Sequence, residues 1–328
     1  MSQLGTRPTG EAASPSEPVA SAPPARRRRG PNRRFFEARI LPALFLLPAA
    51  LFIFGLTVWP VLRALQLSFT NADLSMFMTG EFDYIGLANY VEVATDAHLR
   101  GVFVTTAVFG LLCVLGTMVL GIAVALLLNR AFKGRTLLAI LVLLPWAVPR
   151  VAVAALWEWI FHDQYGLANW MLTSVGMEFF EGFAWFNNRY VAFTAIGIAI
   201  VWQSFPFVAL AMLAGLQSVP NEVMDAARVD GAGAWQRVRR IILPMLKPLL
   251  LVLIVISTIW NFKIFDQVFV MTEGGPARQT ELLAITTWRE AFTQHDFGLA
   301  SALAMGMFVI LAGVTLLYLW LIREEGEL

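Results

Sequence analysis

Cysteine is almost absent from this chain. Cys113 is the single one among 328 residues, so no disulfide forms within the chain and a metal site built from several cysteines is excluded. Lysine is scarce as well: there are three, followed by Gly134, Pro248 and Ile264. A phosphate-cradling ATPase loop ends in Gly-Lys followed by Ser or Thr, so the chain has no nucleotide site of that kind. The three histidines, His98, His162 and His295, stand at spacings that define no metal site, and no nucleophile–base pair is evident. Charge of either sign is low. Asp, Glu, Lys and Arg make up 14% of the residues, against about 25% in an ordinary soluble domain.

What fills the chain is apolar. Hydrophobic residues are 58% of the sequence, and the mean hydropathy of +0.67 makes the bilayer the solvent. The apolar runs predict an all-α membrane protein with six spans, at about 41–70, 101–129, 136–162, 191–217, 247–271 and 297–322. Each exceeds the ~20 residues that cross hydrocarbon at about 1.5 Å per residue. Residues 1–40 form a separate zone of Ser, Pro, Ala and Gly that ends in the basic block Arg26, Arg27, Arg28, Arg29, Arg33 and Arg34. That composition predicts a disordered basic cytoplasmic tail rather than a cleaved signal peptide, because the basic block starts late and the apolar run after it is long. Residues 323–328 are read as a short cytoplasmic C-terminus.

Positive charge sets the orientation. The tail, the second connection (Arg130, Lys133, Arg135) and the fourth (Arg228, Arg237, Arg239, Arg240, Lys247) carry most of it, whereas the alternate connections hold only Arg100, Arg189, Arg278 and Arg289. Both termini are therefore expected in the cytoplasm. Within the spans, Pro145 and Pro149 interrupt the third and Pro206 the fourth. Such breaks either shape the bundle or line a transport pathway. Ionisable residues inside spans face protein or an aqueous cavity, and tryptophan faces suit sugar rings as well as membrane interfaces. The candidate pathway set is Trp146, Arg150, Trp157, Glu158, Trp202, Gln203, Asn261, Lys263 and Asp266, with Trp202 preferred among the tryptophans because Gln203 and Pro206 adjoin it. Lys263 and Asp266 are three apart and can pair on one helix face. Arg150 and Glu158 lie on one face two turns apart, with their partners open.

The segment 218–248 is different in kind, being polar, basic and rich in small residues between two apolar runs. Ser218 is a candidate N-cap, with Pro220 and Glu222 in the first turn of a short helix that reaches about Val229. Gly231 and Gly233 permit a sharp turn. A second helix carries Trp235, Arg237, Val238, Arg239, Arg240 and Ile241 and stops at Pro244. Asp225-Ala226-Ala227 presents little side chain, which lets another protein approach the backbone. A loop lying on lipid headgroups is the competing reading.

These residues resemble the loop of permease subunits of bacterial ATP-binding-cassette importers, written E-A-A, three residues, G, nine residues, I-x-L-P. Asp225, Ala226, Ala227, Gly231, Ile241, Leu243 and Pro244 fall in that register, with Asp225 in place of glutamate and Asp230 beside the glycine. Thr272, Gly274, Gly275 and Pro276 with Asp266, Tyr165-Gly166 with Asn169, and Ile85-Gly86 with Asn89-Tyr90 are similar to the sugar-importer branch, of the maltose and glycerol-3-phosphate kind. The similar stretches cover most of 41–322. The resemblance implies a type I importer permease fold with a cytoplasmic coupling helix and a non-catalytic transport subunit. It also implies a second homologous permease subunit, two ATPase subunits that hold the ATP and Mg, an extracytoplasmic solute-binding protein and a sugar substrate. No cofactor is expected on this chain; membrane lipids are expected partners and nucleic acid is not. The implied substrate is a disaccharide or oligosaccharide such as maltose or trehalose, with glycerol 3-phosphate or a related polyol phosphate as the alternative. An ion-coupled transporter with Glu158 and Asp266 as proton relays is the more distant rival.

Overall fold

The computed structural model describes residues 41–326. The predicted tail, 1–40, and the last two residues lie outside that range. Among the described residues the chain is helical, with one isolated antiparallel bridge, Thr70 to Tyr84. It divides after Trp59 into two units. The first contains helix α1, Leu41–Ile53, and a π-helical turn, Phe54–Val58. Every described side chain of 44–59 is exposed. Lipid tails are as apolar as leucine, so an exposed apolar face of this kind needs no protein cover.

The second unit starts with α2, Trp59–Leu67, and continues through α3, Ala88–Thr95, to the long span α4, Ala97–Leu128. The expected third span is broken. Helices α5, Arg135–Ala147, and α6, Arg150–Ile160, meet at a bend of 100°, so 136–162 is not one continuous helix. Proline is the cause: Pro149 offers no amide donor and forces the residue before it out of helical geometry, and Val148 is extended at φ −82° and ψ 136°. After α7, Leu167–Ser174, the fourth span is α8, Arg189–Ser218. Helix α9, Asn221–Val229, opens the basic loop. The fifth span is α10, Lys247–Phe262, and α11, Asp266–Thr272. Helices α12, Leu283–Phe292, and α13, Phe297–Gly326, complete the chain.

Helix α8 is the axis of the second unit. Over its most apolar stretch 56% of residues are buried, against 17% for the last span. Ile196 and Ile200 join Phe109 and Cys113 of α4, Val268 of α11 and Ile285 in one core, which gives Cys113 a packing role. Val208 and Met212 join Val114, Met118 and Leu253 in a second. The approach of α4 to α8 is close. A Cβ built on Gly121 would stand 2.6 Å from Val208 Cγ1 and 3.2 Å from the Ala209 backbone nitrogen. Small residues are what let membrane helices come this near without a hydrophobic driving force between them.

The asparagines of the first and third connections are structural ties. Asn89 is buried, and its Nδ2 donates to the carbonyls of Ser68 (3.0 Å) and Thr70 (2.9 Å). Asn169 Nδ2 donates to the carbonyls of Asp163 (2.9 Å) and Phe183 (3.0 Å), while its Oδ1 accepts from Trp185 Nε1 at 2.7 Å. Replacing Gly121 by leucine is expected to push α4 off α8 and to cost about 1–3 kcal/mol, the usual range for overpacking. A thermal unfolding midpoint of the purified protein equal to that of the parent would show that the approach has slack.

Candidate functional site: a polar cavity and a basic loop

The break between α5 and α6 opens a cavity of about 460 Å³. Trp146, Val148 and Arg150 line it from the break, Gln203 from α8, Trp260 and Asn261 from α10, and Gln267 from α11. A helix broken inside a bundle leaves carbonyls without intrahelical donors, and these must be satisfied locally. Gln203 does this, donating from Nε2 to the Val148 carbonyl at 2.8 Å while its Oε1 accepts from Gln267 Nε2 at 2.8 Å. Both glutamines are buried. Asn261 Nδ2 is used on the Ser257 carbonyl at 2.7 Å. Two amide oxygens, Asn261 Oδ1 and Gln267 Oε1, are then left buried with no partner. Unpaired buried acceptors cost about 1–3 kcal/mol each, which hydroxyl donors in the cavity would recover. The ring of Phe207 joins Trp146 (centroids 6.3 Å apart) to Trp260 (5.0 Å), making an aromatic row beside these acceptors.

Of the predicted pathway residues, the structure brings together Trp146, Arg150, Gln203 and Asn261. The others lie elsewhere. Trp157 and Trp202 face each other edge-on at 5.7 Å and line a separate apolar groove between α4 and α8. Residues 202 and 203 are neighbours in sequence but about 100° apart around the helix, so Gln203 reaches the cavity and Trp202 does not. Glu158 is exposed on α6 and forms no ion pair with Arg150. The expected Lys263–Asp266 pair is absent among the described residues. The fifth span leaves helical geometry at Lys263 (φ −104°, ψ 24°) and resumes only at Asp266, so the two share no continuous helix face.

The basic loop is a capped turn. Ser218 is not the N-cap of α9: it is the last residue of α8, its Oγ donating to the Gly215 carbonyl at 2.8 Å, and Pro220 caps α9 instead. At the other end Gly231 takes φ +76°. Its N–H donates to the Arg228 carbonyl (3.1 Å), and the Ala232 N–H to the Ala227 carbonyl (2.9 Å). This paired 5→2 and 6→1 pattern ends the helix with its carbonyls satisfied, and it requires a residue that tolerates a left-handed backbone. Gln236 Oε1 then accepts from the Gly233 N–H at 3.0 Å, starting the next turn, Ala234–Arg237. The predicted stop at Pro244 does not occur. A π-helical turn, Val238–Ile242, shifts the hydrogen-bond register, and Pro244 sits in the first turn of a new segment, where no amide donor is needed. Ala227 is buried, whereas Asp225, Ala226 and Asp230 are exposed. The Asp225 carboxylate is paired with Arg228 (2.6 Å) on the exposed face, an interaction of at most about 1 kcal/mol. Val229 and Trp235 stand on the same loop 87% and 70% exposed, uncovered by the rest of the chain.

A second polar centre escapes sequence reasoning. Glu281 is buried; its Oε1 lies 2.9 Å from Arg278 Nε and 2.8 Å from Arg289 Nε, and its Oε2 lies 3.1 Å from His98 Nε2. The Arg289 Nε contact is an ion pair without hydrogen-bond geometry; the same side chain donates from Nη2 to the Glu273 carbonyl at 3.2 Å. The Thr-Glu-Gly-Gly-Pro stretch is the loop that wraps this carboxylate. Its residues Glu273, Gly274, Ala277 and Arg278 all have positive φ, a cost that persists only where surrounding contacts hold the backbone. The hydrogen bond to Glu281 holds the Arg278 guanidinium above its ordinary range, and burial raises the nearby Glu290 carboxyl, partly offset by Arg278. A glutamate immediately before the stretch 282–288, with Arg278 and Arg289 on either side, is the local signal that was available. Replacing Glu281 by glutamine removes the buried carboxylate that the partly exposed Arg278 and Arg289 share. That loss is expected to destabilise by about 1–3 kcal/mol, read as a fall in the thermal midpoint of the purified complex, and an unchanged midpoint would remove the cluster from any structural role.

The described residues include five apolar helices and one bent pair long enough to cross a bilayer; in the second unit the bent pair, α8, α10 and α11 line a polar cavity, and a capped loop follows one end of α8. That arrangement defines a membrane-embedded transport subunit. The chain belongs to the binding-protein-dependent transport system inner membrane component family, whose model matches residues 117–324. It is 35% identical over 292 residues to the diacetylchitobiose uptake system permease protein DasB of Streptomyces coelicolor, covering 88% of this chain and 89% of that one. It is 37% identical over 287 residues to the sulfoquinovosyl glycerol transport system permease protein SmoG of Agrobacterium fabrum, covering 88% and 92%. Its fold is that of a bacterial ABC transporter chain involved in import of the acidic polysaccharide alginate, at TM-score 0.76 and 20% identity over 89% of this chain and 98% of that one. The chain is thus a permease subunit of an ABC sugar importer, an inner-membrane component, and the ion-coupled reading with Glu158 and Asp266 is set aside.

Proposed function

We propose that this subunit forms half of the pathway for a disaccharide or oligosaccharide and that the loop 219–244 couples it to a separate ATPase. The observation that carries the substrate reading is the pair of unpartnered acceptors, Asn261 Oδ1 and Gln267 Oε1, beside Trp146 and Trp260 in one cavity. Sugars offer hydroxyl donors to such oxygens and an apolar ring face to such indoles. A relative named for diacetylchitobiose uptake supports a substrate of this size. Maltose and trehalose fit the same chemistry. Arg150 at the rim has no carboxylate partner among the described residues, which favours a second reading, a sugar or polyol bearing an acidic group such as glycerol 3-phosphate.

In this proposal both termini and the loop face the cytoplasm, as the arginine distribution requires. Two ATPase subunits bind ATP and Mg, a second permease completes the pathway, and a solute-binding protein delivers sugar from the other side. The exposed Ala226, Asp230, Val229 and Trp235 present the docking face. The buried Ala227, with Ile241, Leu243 and Pro244 on the following turns, ties that face to α10. Closure of the ATPase pair moves α9 as a rigid lever, because its C-terminal cap fixes the direction of the chain. The cavity is then opened to alternate sides, a two-state element biased by nucleotide.

Two experiments test the two halves separately. Gly231→Val imposes a branched side chain where φ is positive, so ATPase stimulation by loaded binding protein should fall by an order of magnitude or more while membrane insertion persists. Full stimulation in that variant would end the coupling proposal. Asn261→Leu with Trp146→Ala should lower sugar uptake about tenfold or more, since an unmade polar contact of ~1.4 kcal/mol is already a factor of ten. ATPase stimulation should survive. Uptake at the parental rate would place the substrate elsewhere. Arg150→Gln separates the two readings: it spares uptake of a neutral sugar and abolishes that of an acidic one.

A further inference from the structure

The groove that takes Trp157 and Trp202 is not part of the cavity. It has a volume of about 800 Å³ and runs along α4 and α8 from Val104 past Val108 and Leu112 to Leu120. At about 1.5 Å per residue this length exceeds one leaflet of hydrocarbon, roughly half of ~30 Å. Its walls are almost wholly apolar. The exception is one end, where Thr105 and Arg189 belong also to a second, more polar recess lined by His98, Arg100 and Arg278.

That recess holds one carboxylate, Glu281, among its cations. His98 and Arg278 are both directed at the buried Glu281. Arg100 and Arg189 have no carboxylate partner among the described residues. Arg189 is held in place by Thr105, whose Oγ1 accepts from Nη2 at 2.6 Å, and its guanidinium lies 6.0 Å from the Phe193 ring centroid. Tyr190 stands beside it 77% exposed, in the manner of side chains at a membrane interface. Arg189 and Ser218 are the two ends of one helix, so this mouth lies at the end of α8 away from the basic loop. Two unneutralised guanidinium groups at the mouth of an acyl-length apolar slot match one ligand chemistry, a phosphate diester carrying a long chain.

We propose that this groove is a binding site for one anionic phospholipid, its phosphate between Arg100 and Arg189 and one acyl chain lying along α4 and α8 against Val108 and Trp202. The inference uses the membrane-spanning reading of these helices and is independent of which sugar is carried.

The test uses the assembled importer in nanodiscs of phosphatidylcholine, with phosphatidylglycerol as the added probe, and counts retained phosphatidylglycerol by native mass spectrometry. The parent should retain it through delipidation. Each of Arg100→Gln and Arg189→Gln should lower retention about fivefold, the equivalent of ~1 kcal/mol per interfacial arginine, and Arg189→Lys should restore part of it. Val108→Trp fills the slot without altering charge and should lower retention as well, which distinguishes lost lipid from a misfolded mouth. Inorganic phosphate should not compete. Retention unchanged in the glutamine variants overturns the proposal. So does loss of the second permease or of binding-protein docking with lipid retention intact, because the groove would then be a protein contact. Competition by millimolar phosphate overturns it too, by showing a free-anion site.

Discussion

Inside hydrocarbon no water is available to satisfy a backbone carbonyl, and the second unit is organised around the sharp bend at which a span leaves helical geometry. Pro149 ends α5 and turns the chain by 100°, freeing the Val148 carbonyl. Gln203 accepts the task of satisfying it, and Gln267 in turn satisfies Gln203. This short relay joins three separate spans through side-chain amides. The relay ends at Gln267, a lining residue of the cavity, whose side-chain oxygen is left without a partner. The polar lining of the cavity is therefore a consequence of how the broken span is stabilised, and no separate set of residues has to be invoked for it.

The two ends of α8 are built by contrasting means. At Ser218 the chain passes into a loop whose turns are closed by backbone bonds, with Gly231 in the left-handed region and charges paired at the surface. Such a loop holds its shape by local geometry and offers an exposed, largely small-residue face. At Arg189 the chain emerges beside a cluster in which Glu281 joins the nearby Arg278 and Arg289 to His98, 183 residues away. The loop is thus held by local bonds and the other end by a bond that spans the chain, while the broken span between them is held by the side-chain relay.

How much of this was legible in the sequence follows the range of the interactions. The loop was legible because its determinants are consecutive: Asp225, Ala227 and Gly231 lie within two helical turns, and a left-handed cap needs only the glycine. Its start was misjudged at Ser218, since a serine at a helix boundary reads equally as the last residue of one helix or the cap of the next. The third span was legible as a proline-interrupted run, but the size of the bend was not, because it depends on Gln203 waiting on another helix. Among tryptophans, composition said which spans were aromatic without saying which way each ring pointed, so Trp202 was preferred for its neighbours Gln203 and Pro206, although Trp146 lines the cavity and Trp202 does not. Of the Glu281 cluster only the flanking arginines leave a local trace: His98 is 183 residues away, and no local pattern announces that partner.

The same reasoning bears on what sets substrate selectivity. Selectivity against a ligand lacking a hydroxyl comes from leaving a buried acceptor unmade, which costs more than the matching bond gains. Asn261 has already committed its amide nitrogen to Ser257, and Gln267 has committed its own to Gln203. Neither amide can flip to present a donor without abandoning a partner inside the bundle. The two oxygens are thus fixed as acceptors, and under the proposed function the cavity would discriminate by where a ligand places its donors more than by its size. Arg150, at the start of α6, is the one charged group lining the cavity among the described residues, and it prefers an acceptor or an anion. A ligand satisfying the whole cavity has hydroxyls on one edge and an electronegative group on the other. The polar edge of a glycosidic unit supplies the first, and what it carries at the second decides whether Arg150 contributes to affinity or only to solvation of the pathway.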